Sequence, residues 1–185
     1  MIREILTELN SRMQKAVDGF VKELAGIRTG RATPSLVDDI VINYHGSFIP
    51  LQQLASISTP KADSIIIQPW DRTALKDIQK AITKANIGLN PQGEGGLIRL
   101  PIPPLSEERR SELAKLISRR VEERRVTLRN IRRDEIERLR EMEKNKEISQ
   151  DQFKNTVKEI DELSNSFIDK VNRIGQDKEK EIKEV

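Results

Sequence analysis

Arg125, Arg129 and Arg132 recur at i, i+4 and i+7, with Arg133 and Arg140 at their side, and on a helix the five fall in one arc of about 100°. A guanidinium presents its donors as a planar fork that matches phosphate oxygens and is weakly hydrated, so such a stripe suits a nucleic-acid backbone. The arc lies beside an apolar stripe of Leu113, Ile117, Val121, Leu128, Ile131 and Leu139, so the helix can bury one face and keep the arginines at the surface. A second reading uses the same residues: Glu122, Asp134, Glu135 and Glu137 are spaced to pair with the arginines in ordinary salt bridges on a solvated helix. Spacing alone leaves both open.

No other group of residues assembles a reaction centre. With no cysteine, disulfides, thiolate chemistry and cysteine-based zinc sites are excluded. The lone histidine, His45, sits in a tight-turn context, Tyr44-His45-Gly46. Gly93-Glu94-Gly95-Gly96 lacks the lysine and the following serine or threonine of a phosphate-binding loop and reads as a turn. Asp38 and Asp39, if strand-borne, project to opposite faces and make a poor acid/base pair. No catalytic residue, metal site or cofactor is therefore expected. Of six aromatics, Phe20, Phe153 and Phe167 fall on core phases of helices and Tyr44, Phe48 and Trp70 are scattered, so no stacking platform for single strands is evident. Structured RNA, recognised through phosphates and shape, fits the arginine stripe better.

The element that carries the stripe must be long. All eight prolines fall between residues 34 and 104, and only 13 charged residues lie in 31–105. Because proline is expelled from helix interiors, the flanks can be long charged helices and the centre should be strand and turn. The composition, 36% hydrophobic against 34% charged, is usual for slender bundles with a narrow apolar seam. The formal net charge is +3 with a pI near 9.2, a mild basic bias that matters only where it is gathered.

In the first flank Ile2, Ile5, Leu6, Leu9, Met13, Ala16, Val17, Phe20, Leu24 and Ile27 line one face of a helix that should end near Arg28-Thr29-Gly30, with Gly30 as a left-handed cap. A second helix is predicted from Ser106, its N-cap, to about Asn145. A third opens at Ser149, whose spacing to Gln152 fits a capping box, and carries a heptad seam of Phe153, Val157, Ile160, Ser164, Phe167, Val171 and Ile174. The short link between them makes these two helices antiparallel neighbours. The opening MIREILTELN reads as an amphipathic helix and not a signal peptide, and no run approaches a membrane span, so a soluble intracellular protein is expected.

Within the centre, residues 36–43 and 47–49 read as strands around the Tyr44-His45-Gly46 turn, and residues 64–68 as a further strand. Residues 72–86 form a helix with Leu75, Ile78, Ile82 and Ala85 on one side, and residues 97–102 a last strand. The fold expected is α+β: an elongated antiparallel three-helix bundle of residues 1–29 and 106–185, with a small β/α/β domain, residues 31–105, inserted into it. The two connections, Thr29, Gly30 and Arg31 on one side and Pro103, Pro104, Leu105 and Ser106 on the other, would form a double-stranded hinge.

Five stretches carry a resemblance: Arg28-Thr29-Gly30-Arg31-Ala32, Gly88-Leu89-Asn90-Pro91, Gly93 to Pro104, Leu105-Ser106-Glu107-Glu108-Arg109-Arg110, and Arg129-Asn130-Ile131-Arg132-Arg133. In this order and over the whole chain, they resemble the ribosome recycling factor family. The resemblance implies an L-shaped, hinged molecule. It would act as a monomer that enters the space between ribosomal subunits after termination and, with elongation factor G and GTP hydrolysis by that partner, separates them. It implies large-subunit RNA contacts at Arg28, Arg31, Arg129 and Arg132, which overlap the stripe that also holds Arg125 and Arg133. A cytoplasmic factor is implied, and a mature organellar one would read the same. Two positions depart from the family's pattern: Tyr44-His45-Gly46, where a tyrosine pair is usual, and Glu123-Arg124, where a glycine commonly follows the acid. The alternative, from a different class, is a helical adaptor whose heptad seam recruits another chain.

Overall fold

A computed structural model describes residues 1–184. In chain order they form α1 (Ile2–Ala25), β1 (Val41–Tyr44), β2 (Ser47–Pro50), the single-turn α2 (Leu51–Leu54), β3 (Ala55–Lys61), β4 (Ser64–Pro69), α3 (Leu75–Lys84), β5 (Gln92–Glu94), β6 (Leu97–Pro101), α4 (Glu107–Lys144) and α5 (Gln150–Lys183). The chain divides into two units: Met1–Arg28 with Glu108–Glu184, and Thr29–Glu107. The expected last bundle residue, Val185, lies outside the described residues.

The first unit is a three-helix bundle whose register is visible in its ion pairs. Glu23 meets Arg120 and Arg124 (3.1 and 3.0 Å) and Glu8 meets Arg138 (3.0 Å), so α1 runs antiparallel to α4. Ser118 bonds Glu179 and Arg125 bonds Asn172, so α5 also runs antiparallel to α4. The core is built from Leu9, Met13 and Phe20 of α1, Leu128 and Leu139 of α4, and Ile160, Phe167 and Val171 of α5, all buried. Ser149 caps α5 in a complete capping box with Gln152. The link from α4 closes in a Schellman turn, in which Glu147 N–H bonds Met142 O and Lys146 N–H bonds Glu143 O, with Lys146 at φ 61°.

The expected seams are right in the middle of the helices and drift at the ends. On α5 the buried residues are Thr156, Ile160, Ser164, Phe167, Val171, Gly175 and Ile182, whereas Phe153, Val157 and Ile174 are half-buried. Steps of mostly four residues follow the 3.6-residue turn of a straight helix, and a strict heptad of period 3.5 runs ahead of it. Ser164 and Thr156 satisfy their hydroxyls on the carbonyls of Ile160 and Gln152. Helix α1 stops at Ala25, with Gly26 as C-cap at φ −72°, earlier than expected. Gly30, expected as the cap, does have φ 75°, but it serves a close approach in the other unit: a Cβ there would sit 2.9 Å from Leu105 Cγ.

The second unit holds a two-stranded sheet, β1-β2, and a four-stranded antiparallel sheet of order β3-β4-β6-β5. Its core of Ile42, Leu51, Ile65, Ile67, Ile98 and Leu100 is closed by Ile78 and Ile82 of α3. Strand β3 went unread because Ser56, Ser58 and Pro60 dilute its pattern. As an edge strand it tolerates a proline that a central strand would not. Residues 36–43 are not one strand: Pro34–Leu36 form a 3₁₀ turn that also places Asp38 and Asp39 in a turn, so their strand-face argument lapses. Gly93 and Glu94 belong to β5, leaving Gly95 and Gly96, at φ 58° and 87°, as the turn. Asp71 ties the hairpin to the start of α3, accepting from Tyr44 Oη at 2.5 Å and from Thr73 N at 2.9 Å. These bonds, that of Tyr44 first, hold its carboxyl down at about 2. The stabilisation is therefore complete above the ordinary carboxylate range and is lost as pH falls through about 2.

Both connections fasten to the β3–β4 turn, Ala32 N–H to Ala62 O and Ile102 N–H to Asp63 O, each at 2.7 Å.

Gly175 marks a close approach of α5 to α4, since a Cβ there would lie 2.4 Å from Val121 Cγ2, the stiff branch of a buried side chain. Gly175→Ala should therefore destabilise the bundle: overpacking costs about 1–3 kcal/mol and better helix propensity returns only about 1. Urea unfolding followed by the helical signal should show a lower midpoint; an unchanged or raised midpoint would contradict this packing.

Candidate nucleic-acid interface

The arginines stand where α4 turns away from its seam. Leu113, Ile117, Val121, Leu128, Leu139 and Met142 are buried, Ile131 is half-buried, and Arg125, Arg129, Arg132, Arg133 and Arg140 lie between the buried stripe and solvent. Arg129, Arg132, Arg133 and Arg140, with Asn130, Ile136 and Glu137, line an open concavity of about 410 Å3. Four cationic forks around one hollow form a surface suited to phosphate oxygens.

Their carboxylate partners are about half exposed. Glu122 accepts from both Arg129 and Arg125, the latter at 3.1 Å, and the Arg129 bond before that of Arg125 holds its carboxyl below the usual range. Arg125 also donates to Asn172 at 2.7 Å. Arg140 pairs with Glu137 at 2.6 Å and Arg133 donates to Asn130 at 3.3 Å. Arg132 has the loosest partner, Asp161 at 3.7 Å, and is one-third exposed. Exposed pairs are worth roughly 0–1 kcal/mol each, so a phosphate can displace these carboxylates at little cost.

Of the four acids weighed as partners of the stripe, Glu122 and Glu137 take that role, while Asp134 and Glu135 face α1. Glu135 is 1% exposed and bridges Arg12 and Arg138, at 3.4 and 3.2 Å. It occupies the seam phase between Leu128 and Leu139, a signal that would have found it. Arg12 reaches it from α1 and Arg138 from its own helix, so this buried carboxylate ties α1 to α4 at this level.

Arg28 is exposed beyond the end of α1. It is not among the residues that line the concavity. Arg31, half-buried, belongs to the other unit. Thr29 is buried, Leu105 is half-buried against Gly30, and Pro103, Pro104 and Ser106 are exposed. Of the two departures, His45 stands exposed at φ 49° with its ring 4.2 Å from that of Tyr44. Arg124 closes the bundle by pairing with Glu23 and lying 5.7 Å from the centre of the Phe20 ring.

Residues 20–182 match the family model described as ribosome recycling factor. The chain belongs to the ribosome recycling factor family. Ribosome-recycling factors of Dehalococcoides mccartyi, Bacillus licheniformis and Bacillus subtilis are 47%, 45% and 43% identical to it over 185 residues, all of this chain and all of each relative. The solution structure of a ribosome recycling factor superposes with a TM-score of 0.75 at 41% identity, covering 100% of this chain and 98% of that one. A second solved family member, from T. thermophilus and described together with E. coli elongation factor G bound to the E. coli post-termination complex, gives a TM-score of 0.66 at 38% identity over 98% of both chains. Family members are translation factors, and the mixed fold of helical bundle and small sheet domain is the family's. Among the described residues no helix is long and apolar enough to cross a membrane.

Because Glu122 holds two of the arginines, its removal should strengthen the surface. Glu122→Gln is expected to raise affinity for a structured RNA hairpin roughly two- to fivefold at low salt, in fluorescence polarisation. Unchanged or weaker binding would show that this face does not meet phosphate.

Proposed function

We propose that this chain acts as a monomer on the post-termination ribosome, holding large-subunit ribosomal RNA through Arg129, Arg132 and Arg133, with Arg125 beside them and Arg28 and Arg31 as further contacts. Elongation factor G and its GTP hydrolysis supply the work that separates the subunits; the chain catalyses no reaction of its own and works in the cytoplasm. The observation that carries the reading is the hollow ringed by Arg129, Arg132, Arg133 and Arg140, whose counter-ions are all exposed. Arg132 is the central contact, since its single carboxylate partner is the most distant in the group.

The inserted unit would then move on residues 29–31 and 103–106, the two passages between units. Gly30 at φ 75°, packed on Leu105, gives that connection a residue without a side-chain clash. A long bundle gripping RNA while a second unit receives the push would convert the partner's motion into separation of the subunits. The adaptor reading loses its basis, because Ile160, Ser164, Phe167 and Val171 are already buried in the chain's own bundle.

The test is sedimentation of purified post-termination ribosomes with elongation factor G, GTP and the wild-type chain or Arg132→Gln. Wild type should yield free subunits, and the variant should need at least tenfold more protein, as expected for losing a charge-assisted contact of about 1.5–3 kcal/mol. Equal splitting by both would contradict the assignment of Arg132; no splitting by wild type would contradict the function.

A further inference from the structure

The second unit carries another surface that neither the arginine face nor the hinge involves. Between the β1-β2 hairpin and α3 lies an open groove of about 530 Å3, lined on its apolar side by Ile40, Val41, Phe48, Ala81 and Ala85 and rimmed by Lys80 and Lys84. Register explains the apolar exposure. Asn43 pairs with Phe48 across the hairpin, and Val41 lies two residues from Asn43 on the same side, while Ile42 between them faces the core. Phe48 is 76% exposed and Val41 52%, an apolar cluster larger than the scattered single residues of an ordinary surface.

The charge beside it is unlike that of α4. Lys76, Lys80 and Lys84 recur at i, i+4 and i+8 along α3, and none of the three makes an ion pair or a hydrogen bond among the described residues. The stripe arginines of α4 each have a carboxylate or amide partner in place. The groove's one acid, Asp77, lies i, i+3 from Lys80, so the rim holds two lysines against one carboxylate. An apolar trough whose rim carries a net positive charge, with Lys84 a further turn from the acid, is complementary to a protein segment that is apolar on one side and acidic on the other. The largely aliphatic floor argues against RNA, because besides the Asn43 amide it offers phosphate oxygens no side-chain donor and has only one aromatic side chain for stacking.

We propose that this groove docks an acidic amphipathic segment of a partner protein, apolar side chains seated against Val41, Phe48 and Ala81, and two carboxylates spaced i, i+4 reaching Lys80 and Lys84. The spacing follows from one turn of α3 separating the two lysines. The site is independent of the RNA reading and stands or falls separately.

The experiment selects phage-displayed random 12-residue peptides on the intact chain and measures the enriched peptides by fluorescence polarisation against wild type, Phe48→Ser, Lys80→Glu/Lys84→Glu and Arg132→Gln. Phe48, Lys80 and Lys84 are exposed, so these variants should keep the wild-type circular dichroism spectrum. The expected result is convergence on two or more apolar residues with paired acids, affinity at least tenfold weaker for the Phe48 and double-lysine variants, and no change for Arg132→Gln. Three results would overturn the proposal: no enrichment, peptides that bind the groove variants as well as wild type, or displacement of the peptides by a 12-nucleotide single-stranded RNA.

Discussion

A helix of 38 residues, about 57 Å long, can present a basic face only if its opposite face is held along its whole length. In this chain the constraint is met by packing α4 between α1 and α5, with Leu113, Ile117, Val121, Leu128, Leu139 and Met142 turned inward and the arginines therefore turned outward. The charge pairs at the edge of that seam set which residues meet. Glu135 lies in the seam itself between Arg12 and Arg138, and Glu23 holds Arg120 and Arg124. Sliding α1 by one turn would take Arg12 away and leave the buried carboxylate of Glu135 to Arg138 of its own helix alone. The approach of α1 thus decides which acids stay beside the arginines, since Arg12 draws Asp134 and Glu135 to the other side.

Confining every proline to residues 34–104 is what makes both halves possible. It leaves the flanks free of helix breakers and puts the turns, edges and tight corners into the inserted unit. There Asp71 organises the start of α3 and anchors the Tyr44 hydroxyl, so the departure to His45 falls on the exposed side of a turn whose neighbour is already fixed. The other departure, Arg124, has become part of the bundle, clamped by Glu23 and lying near the Phe20 ring.

Much of this was legible in the residues. The long helices, the capping box at Ser149 and the inserted position of the sheet unit follow from proline placement and 3.6-residue periodicity. What escaped was governed by tertiary context. Strand β3 is too polar to announce itself and exists because β4 pairs with it. Helix α1 ends at Ala25, with Gly26 as its cap, while Gly30 serves a close approach to Leu105 in the other unit. At the candidate site, the arc of arginines was readable from spacing. The division of their acidic neighbours was not, because only the approach of α1 draws Asp134 and Glu135 away and leaves Glu122 and Glu137 as the stripe's displaceable partners.

The most direct measurement of the central claim is equilibrium binding of isolated large ribosomal subunits between about 50 and 200 mM salt, by wild type and by the double variant Arg129→Gln/Arg132→Gln. If these guanidiniums each displace counterions from an RNA phosphate, the slope of log affinity against log salt should become shallower by about two in the variant. An unchanged slope, with or without a loss of affinity, would mean that the basic face of α4 is a solvated helix surface and that the chain grips the ribosome elsewhere.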